Sequence, residues 1–354
     1  APELGSRNVP VITVDGLKFR DLDRNGTLDP YEDWRLPAEK RAADLVGRMN
    51  LEEKAGTMMH ASLPSTAGGT GGGTQYDMAA AEQMLLGQHV TSAITRLAVE
   101  ASNFAEQNNG LQALAEKGRL GIPLTISTDP RNHFKVVEGA SVATTGFSQW
   151  PETLGLAALH DPALARRFAE IARQEYVAVG IRMALSPQAD ISTEPRWPRI
   201  NGTFGEDPDL AKDMVKAYTE GFQHGTAGLG KDSVVVVVKH WVGYGAAVDG
   251  FDGHNYYGRY AKPDGAFDLH VKPFLGAFEA NVAGVMPTYS IMQELVLDGK
   301  PVEPVAAGFN KQILTDLLRG KYGFKGLILS DWAITRTCTE NCMAGQTKHT
   351  PADI

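Results

Sequence analysis

Cysteine is nearly absent: 354 residues contain only Cys338 and Cys342. One C-x3-C pair gives too few thiolates for a structural zinc site and cannot staple a small fold, so two plain thiols or one local disulfide remain open. Positive charge is in deficit as well. There are 34 Lys+Arg against 42 Asp+Glu, a formal −8, so no overall field draws in a phosphate backbone and nucleic acid is not an expected partner. Long apolar runs are missing too. Those present, such as Val234 to Val238, fall far below the ~20 residues that cross a bilayer, so no membrane span or membrane partner is expected. The run Ala67 to Thr74 is rich in glycine but lacks the Gly-Lys-Ser/Thr ending that meets nucleotide phosphates, and it reads as a flexible loop.

What the chain does have is enough apolar material for a core: 43% hydrophobic against 21% charged, over a length that allows one large domain or two of typical size. It opens Ala1-Pro2-Glu3 without Met, which fits a mature exported protein or a chain trimmed at its start; a secreted or periplasmic location is the expectation. Residues 1–37 are polar and turn-rich and read as an N-terminal extension. Beyond them Ala42, Leu45, Val46 and Met49 recur at helical spacing, and Asn50 with Glu53 forms a capping-box pattern. Asp161-Pro162 and Asp207-Pro208 open two further amphipathic helices. Between the helices lie short runs that are apolar throughout: Val90 to Ile94, Leu124 to Ser127, Arg182 to Leu185, Val234 to Val238, Val282 to Met286 and Leu327 to Leu329. Thr57 to His60 is a candidate first strand.

Strands apolar on both faces and separated by helices predict right-handed βαβ units in a parallel sheet, hence an α/β fold. About seven such units suggest a (β/α)8-type TIM barrel over residues 38–354, lacking its last unit, more than a doubly wound sheet. In such a barrel the C-terminal strand ends converge on one face. Here those ends carry Thr128-Asp129, then Asp190 with Arg196 and Arg199, Lys239-His240, Tyr289, and Ser330-Asp331-Trp332. Carboxylates, cations and aromatics without a Cys-His or Ser-His pair suit a hydroxyl-rich ligand, which points to sugar.

Four motifs extend this reading: Glu194-Pro195-Arg196-Trp197-Pro198-Arg199 with Gly205-Glu206-Asp207-Pro208; Lys239-His240-Trp241-Val242-Gly243; Gly284-Val285-Met286-Pro287-Thr288-Tyr289; and Gly323 to Trp332. In this order, over residues 38–335, they resemble the family 3 glycoside hydrolases, in which a barrel precedes an α/β sandwich. The resemblance implies a retaining β-glucosidase or exo-β-glucanase with Asp331 as nucleophile. It also implies that Asp129, Arg199, Lys239 and His240 grip the terminal sugar of a β-linked gluco-oligosaccharide or β-glucoside. Met286 and Tyr289 would line the pocket, and Trp332 would offer a stacking face. Lys239 is expected near Asp331, helping to keep it ionised. Trp197 and Trp241 read as packing, and Arg196 as equally able to form a structural ion pair.

In this family the general acid/base usually comes from the sandwich domain, which is expected but absent from this chain, so a second domain or a partner chain would supply it. A minority branch, the β-N-acetylglucosaminidases, carries an Asp-x-His pair on the loop after the Lys-His strand. Asp252-Gly253-His254 stands in that loop here, making Asp252 and His254 an alternative acid/base dyad, although Val242 to Gly245 and Asn255 look more like the exo-glucanase branch. A non-catalytic carbohydrate-binding barrel is the competing class; the intact Asp331, Lys239 and His240 speak against it. Oligomeric state is left open, a homo-oligomer included. A disulfide between Cys338 and Cys342 would brace the loop after Asp331 in an exported protein.

No cofactor is expected for catalysis, but a structural Ca²⁺ is. Residues 21–32 place oxygens at Asp21, Asp23, Asn25, Thr27, Asp29 and Glu32, with Gly26 at the sixth position, in the full pattern of a calcium loop. The flanks are too short for the helices of a paired sensor, so an ion stapling the extension is the expectation.

Overall fold

A computed structural model describes residues 2–67, 72–136, 141–142 and 145–334. Cys338 and Cys342 lie outside the described residues, as does the middle of the Ala67 to Thr74 run. The chain divides into two compact units: Ala1–Thr128 with Val142–Gly146 and Ala178–Ile181, and Asp129–Ser141 with Phe147–Val177 and Arg182–Ile354. Among the described residues no helix is long and apolar enough to cross a membrane.

The first unit opens with a hairpin that the sequence reading passed over. Strands β1 (Val11–Val14) and β2 (Leu17–Arg20) pair antiparallel across Asp15-Gly16. Both turn residues have positive φ, 52° and 75°, the geometry whose twist matches that of the flanking strands. Phe19 is fully buried, and Val9, Leu22 and Tyr31 form an apolar cluster with Leu45, so this segment packs against the helix that follows it. Helix α1 (Ala38–Arg48) follows, and α2 (Leu51–Thr57) starts on the expected capping box: Asn50 accepts from the Glu53 N–H while Glu53 accepts from that of Asn50. The candidate strand Thr57 to His60 is corrected here. Thr57 ends α2, Met58 and Met59 are exposed, and the strand β3 is His60–Ser62. An apolar pair at a helix end had been taken for buried strand. β3 pairs parallel with β4 (Ser92–Ile94), and β4 with β5 (Thr125–Thr128). His60 joins all three, its ring nitrogens 2.6 Å from the Ser92 hydroxyl and 2.8 Å from that of Ser127.

The second unit continues the alternation. Helix α3 (Pro162–Ala178) is opened by Asp161, which accepts from the Leu164 N–H, and leads to β6 (Met183–Ala184). Helix α4 (Pro208–Gln223), capped by Asp207, leads to β7 (Val235–Trp241), and α5 (Phe267–Glu279) to β8 (Gly284–Pro287). A helical segment Gln312–Lys321 precedes β9 (Leu327–Ile328). β6, β7, β8 and β9 are parallel and neighbours in that order, so each strand reaches its neighbour through a helical crossover. Phe168, Tyr176, Tyr218 and Phe222 stack between α3 and α4, with the Tyr218 and Phe222 centroids 4.9 Å apart. Gly276 of α5 lies so close to the Lys212 carbonyl of α4 that a Cβ there would overlap it. These layers fix β7 and β8, and the register sets Met286 beside Lys239.

Candidate active site

β7 is buried along most of its length because its valines face apolar layers on both sides, which carries two polar residues, Lys239 and His240, into the interior at its C-terminal end. Buried polar groups need partners, and each has one. Lys239 Nζ lies 3.2 Å from Asp129 Oδ1, both side chains less than 10% exposed. His240 Nδ1 lies 2.8 Å from Asp190 Oδ2, and the His240 N–H donates to the same oxygen at 3.3 Å. The ammonium is thus paired with Asp129. Arg199 lies within the electrostatic reach of Asp331. Burial pulls the Arg199 guanidinium down, but the field of Tyr244, Asp252, Asp331 and Asp190 outweighs this and holds its pKa above the ordinary value.

Asp331, four residues after the start of β9, is buried and oriented. Its Oδ1 accepts from the Trp332 N–H at 2.8 Å, which leaves Oδ2 4.0 Å from His240 Nε2. The Tyr289 hydroxyl donates to the Trp332 carbonyl at 2.6 Å, and burial together with the Asp331 charge pushes that phenol well above its usual pKa. Met286 is buried in β8.

The loop after β7 returns to the same place. Tyr244 donates to Asp252 Oδ1 at 2.6 Å, and His254 Nδ1 lies 2.6 Å from that oxygen. The His254 ring meets Tyr289 edge-on at 5.0 Å, while the Tyr244 ring meets His240 at 5.0 Å and Trp197 at 4.8 Å. Gly245 permits this path, since a Cβ there would overlap the Ile191 carbonyl. Burial alone would raise the Asp252 carboxyl; the bonded His254 and the Tyr244 hydroxyl outweigh it and hold it well below the usual carboxylate range. Trp197 and Trp241 are buried, and Arg196 is an exposed partner of Glu194 at 2.8 Å.

The second unit therefore holds every residue proposed for sugar and chemistry, joined through direct contacts of Asp331, His240, Tyr289 and His254. Two members went unrecognised as site residues. Asp190 had stood only as a polar strand end, and Tyr244 only as a motif letter; the alternation of buried strand and polar terminus marked the first, while nothing local marked the second.

The segment with the calcium-loop pattern lies in the first unit. Carboxylate oxygens of Asp21, Asp23 and Glu32 come within 4.8 Å of one another. Asp21 accepts from the Asn25 and Gly26 N–H groups at 3.0 and 2.9 Å, and Glu32 from that of Leu22 at 2.6 Å. Burial first, then the neighbouring carboxylates, raises the pKa of both Asp23 and Glu32. An all-oxygen, acidic donor set of this kind fits a hard cation. Asn25 and Thr27 face each other, the Asn25 side-chain oxygen accepting from the Thr27 hydroxyl at 2.6 Å. Asp29 is held by Arg48 through two contacts of 2.6 Å.

Residues 50–350 match the family model described as the glycosyl hydrolase family 3 N-terminal domain. The chain belongs to glycosyl hydrolase family 3. It is 61% identical over 344 residues to a periplasmic beta-glucosidase/beta-xylosidase of Dickeya chrysanthemi, covering 97% of this chain and 53% of that one. It is 44% identical over 327 residues to beta-glucosidase C of Emericella nidulans, covering 89% of this chain and 50% of that one. Among solved structures, a beta-glucosidase of Listeria innocua in complex with isofagomine is 27% identical with a TM-score of 0.62, covering 84% of this chain and 37% of that one. The chain thus spans about half the length of the curated relatives it matches. Family membership places the Lys239-His240 strand end and Asp331 in that family's N-terminal domain.

Proposed function

We propose that this chain supplies the sugar-binding and nucleophilic half of a retaining β-glucosidase. The observation that carries this is the Asp331 carboxylate, oriented by the Trp332 N–H and set 4.0 Å from His240 Nε2. In this reading Lys239 with Asp129, Arg199 and His240 bind hydroxyls of the terminal glucose, with Met286 and Tyr289 as walls and Trp332 as a stacking face. Asp331 Oδ2 attacks the anomeric carbon as the glycosidic C–O bond breaks, and a general acid protonates the departing oxygen. Water then loses its proton to the same group and cleaves the glycosyl ester, returning the β-anomer. The relatives' names support glucosides, and that of the Dickeya chrysanthemi relative adds xylosides and a periplasmic setting. The strand order within each unit supports a (β/α)8 barrel. The test uses the full-length protein with 4-nitrophenyl β-D-glucoside and β-D-xyloside, following the first-formed anomer by proton NMR. β-Anomer from wild type and loss of turnover in a folded Asp331→Ala variant are expected; an α-anomer, or normal turnover in the variant, overturns the reading.

The source of the acid has two readings. The relatives' greater length supports a second domain or partner chain. The 2.6 Å contact of Asp252 with His254, whose ring is 39% exposed and lies against Tyr289, supports the in-chain dyad. His254→Gln decides between them. If the dyad is the acid/base, hydrolysis of an unactivated oligosaccharide falls by about 10²–10⁴-fold and that of the 4-nitrophenyl substrate far less; an equal, small change in both assigns the acid elsewhere.

We also propose that Asp21, Asp23 and Glu32 hold a structural Ca²⁺, as their convergence within 4.8 Å and the raised pKa of Asp23 and Glu32 in one short loop support.

A further inference from the structure

Asp190 belongs to none of the roles above, yet it is 2% exposed and reaches only inward. Its Oδ2 stands opposite two nitrogens of one residue, the His240 N–H at 3.3 Å and the ring Nδ1 at 2.8 Å. Its Oδ1 is buried with no hydrogen-bond partner among the described residues. A carboxylate can only accept, so an ionised Asp190 requires the imidazole proton on Nδ1 and leaves Nε2 with a bare lone pair. That nitrogen faces Asp331 Oδ2 across 4.0 Å, too far for a hydrogen bond and acceptor against acceptor. A hydroxyl seated there would donate to Nε2 and so lie beside the carboxylate without competing for it.

We propose that Asp190 is a positioning residue, fixing His240 as the Nδ1–H tautomer so that Nε2 accepts a hydrogen bond from a hydroxyl of the terminal sugar next to Asp331. The proposal rests on the glycosidase reading for its ligand but not for its tautomer. The surroundings keep the ring neutral: burial, then the positive field of Arg199, Lys239 and His254, holds His240 well below its ordinary pKa. Burial pushes the Asp190 carboxyl up to about 7 against the pull of Arg199 and Lys239. Above that pH the carboxylate is ionised and the tautomer fixed. A neutral Asp190 would instead donate to Nδ1, and Nε2 would present a proton to Asp331.

The tautomer is read directly from nitrogen NMR of the full-length protein labelled with ¹⁵N-histidine at pH 8, the His240 signals being assigned by their loss in His240→Gln. Wild type is expected to show a protonated Nδ1 and an unprotonated Nε2; the reverse assignment overturns the proposal, and this measurement needs no Asp190 variant to fold. Asp190→Ala should average the two tautomers and lower kcat/KM for the glucoside by about 100-fold, the scale of a misplaced reacting group. Asp190→Asn can keep an oxygen in the Oδ2 position and should recover most of that loss. An alanine variant with the wild-type tautomer and activity, or an asparagine variant as impaired as alanine, contradicts the role. If wild type hydrolyses no glycoside, the functional reading fails while the tautomer result stands by itself.

Discussion

Two clusters of carboxylates divide the labour of this molecule. In the first unit Asp21, Asp23 and Glu32 gather within one turn-rich loop, and the nearby guanidinium of Arg48 makes its closest contacts with Asp29. In the second unit Asp129, Asp190 and Asp331 come from three different strand ends, each beside a resident Lys239, His240 or Arg199. Carboxylates that lack enough internal positive charge call for a cation from outside. Carboxylates already met by internal cations and N–H donors leave room for a neutral ligand rich in hydroxyls. On the proposed assignments, electrostatic balance, more than residue type, separates an ion site from a sugar site.

The comparison is broken most forcefully at Asp331. Asp331→Ala should lower kcat by about 10⁴-fold or more, as loss of a nucleophile acting with its partners does, without a matching fall in thermal stability. Next comes the balance itself. Lys239→Ala removes the ammonium 3.2 Å from the buried Asp129 carboxylate, and breaking such a buried pair should cost about 3–5 kcal/mol in urea unfolding. Adding Asp129→Ala should then cost less than the sum of the two single changes, because the two side chains are in direct contact and the pair can be lost only once. The loop in the first unit should respond to an external cation instead. Ca²⁺ at a hundredfold excess over its Kd should stabilise by about 2.7 kcal/mol with turnover nearly unchanged, and Asp23→Asn should abolish most of that gain. A large change in turnover without a melting shift would place the ion in the wrong cluster.

The smallest effect separates Asp190 from its neighbours. Its folded-state pKa, about 7, lies above the ordinary 3.8, so between these values the folded state holds a proton that the unfolded chain has lost. The stability this contributes is fully present below pH 3.8 and is lost as pH rises through about 7. Asp190→Asn carries no such proton. Its unfolding free energy relative to wild type should therefore be higher at pH 8 than at pH 5, by roughly 2 kcal/mol.

The two clusters were unequally legible in the sequence. The calcium-loop pattern is local, its oxygens at fixed offsets within twelve positions, so it could be read directly; only the diversion of Asp29 to Arg48 needed coordinates, because that contact spans 19 residues. The parallel strands were legible because burial on both faces leaves no polar alternation, and all six apolar runs contain or overlap a strand. The hairpin at Asp15-Gly16 carried its own turn signal and was passed over because its flanking strands are four residues each. Asp331, Lys239 and His240 were legible through strand ends and motifs. Their pairing was not: Lys239 with Asp129 spans 110 positions and His240 with Asp190 spans 50, and no periodicity encodes such distances. Tyr244 shows the limit, since its role arises only where a returning loop brings Asp252 and His254 beneath its hydroxyl.

The central claim is that Asp331 forms the covalent bond to sugar. It is tested by incubating the full-length protein with an activated 2-deoxy-2-fluoro-β-glucoside, which slows breakdown of the glycosyl ester, and mapping the label by peptide mass spectrometry. The account predicts one fluoroglucosyl group, on the peptide containing Asp331 and absent from Asp331→Ala. A label on another carboxylate, or unlabelled protein that continues to turn over the glucoside, would contradict it.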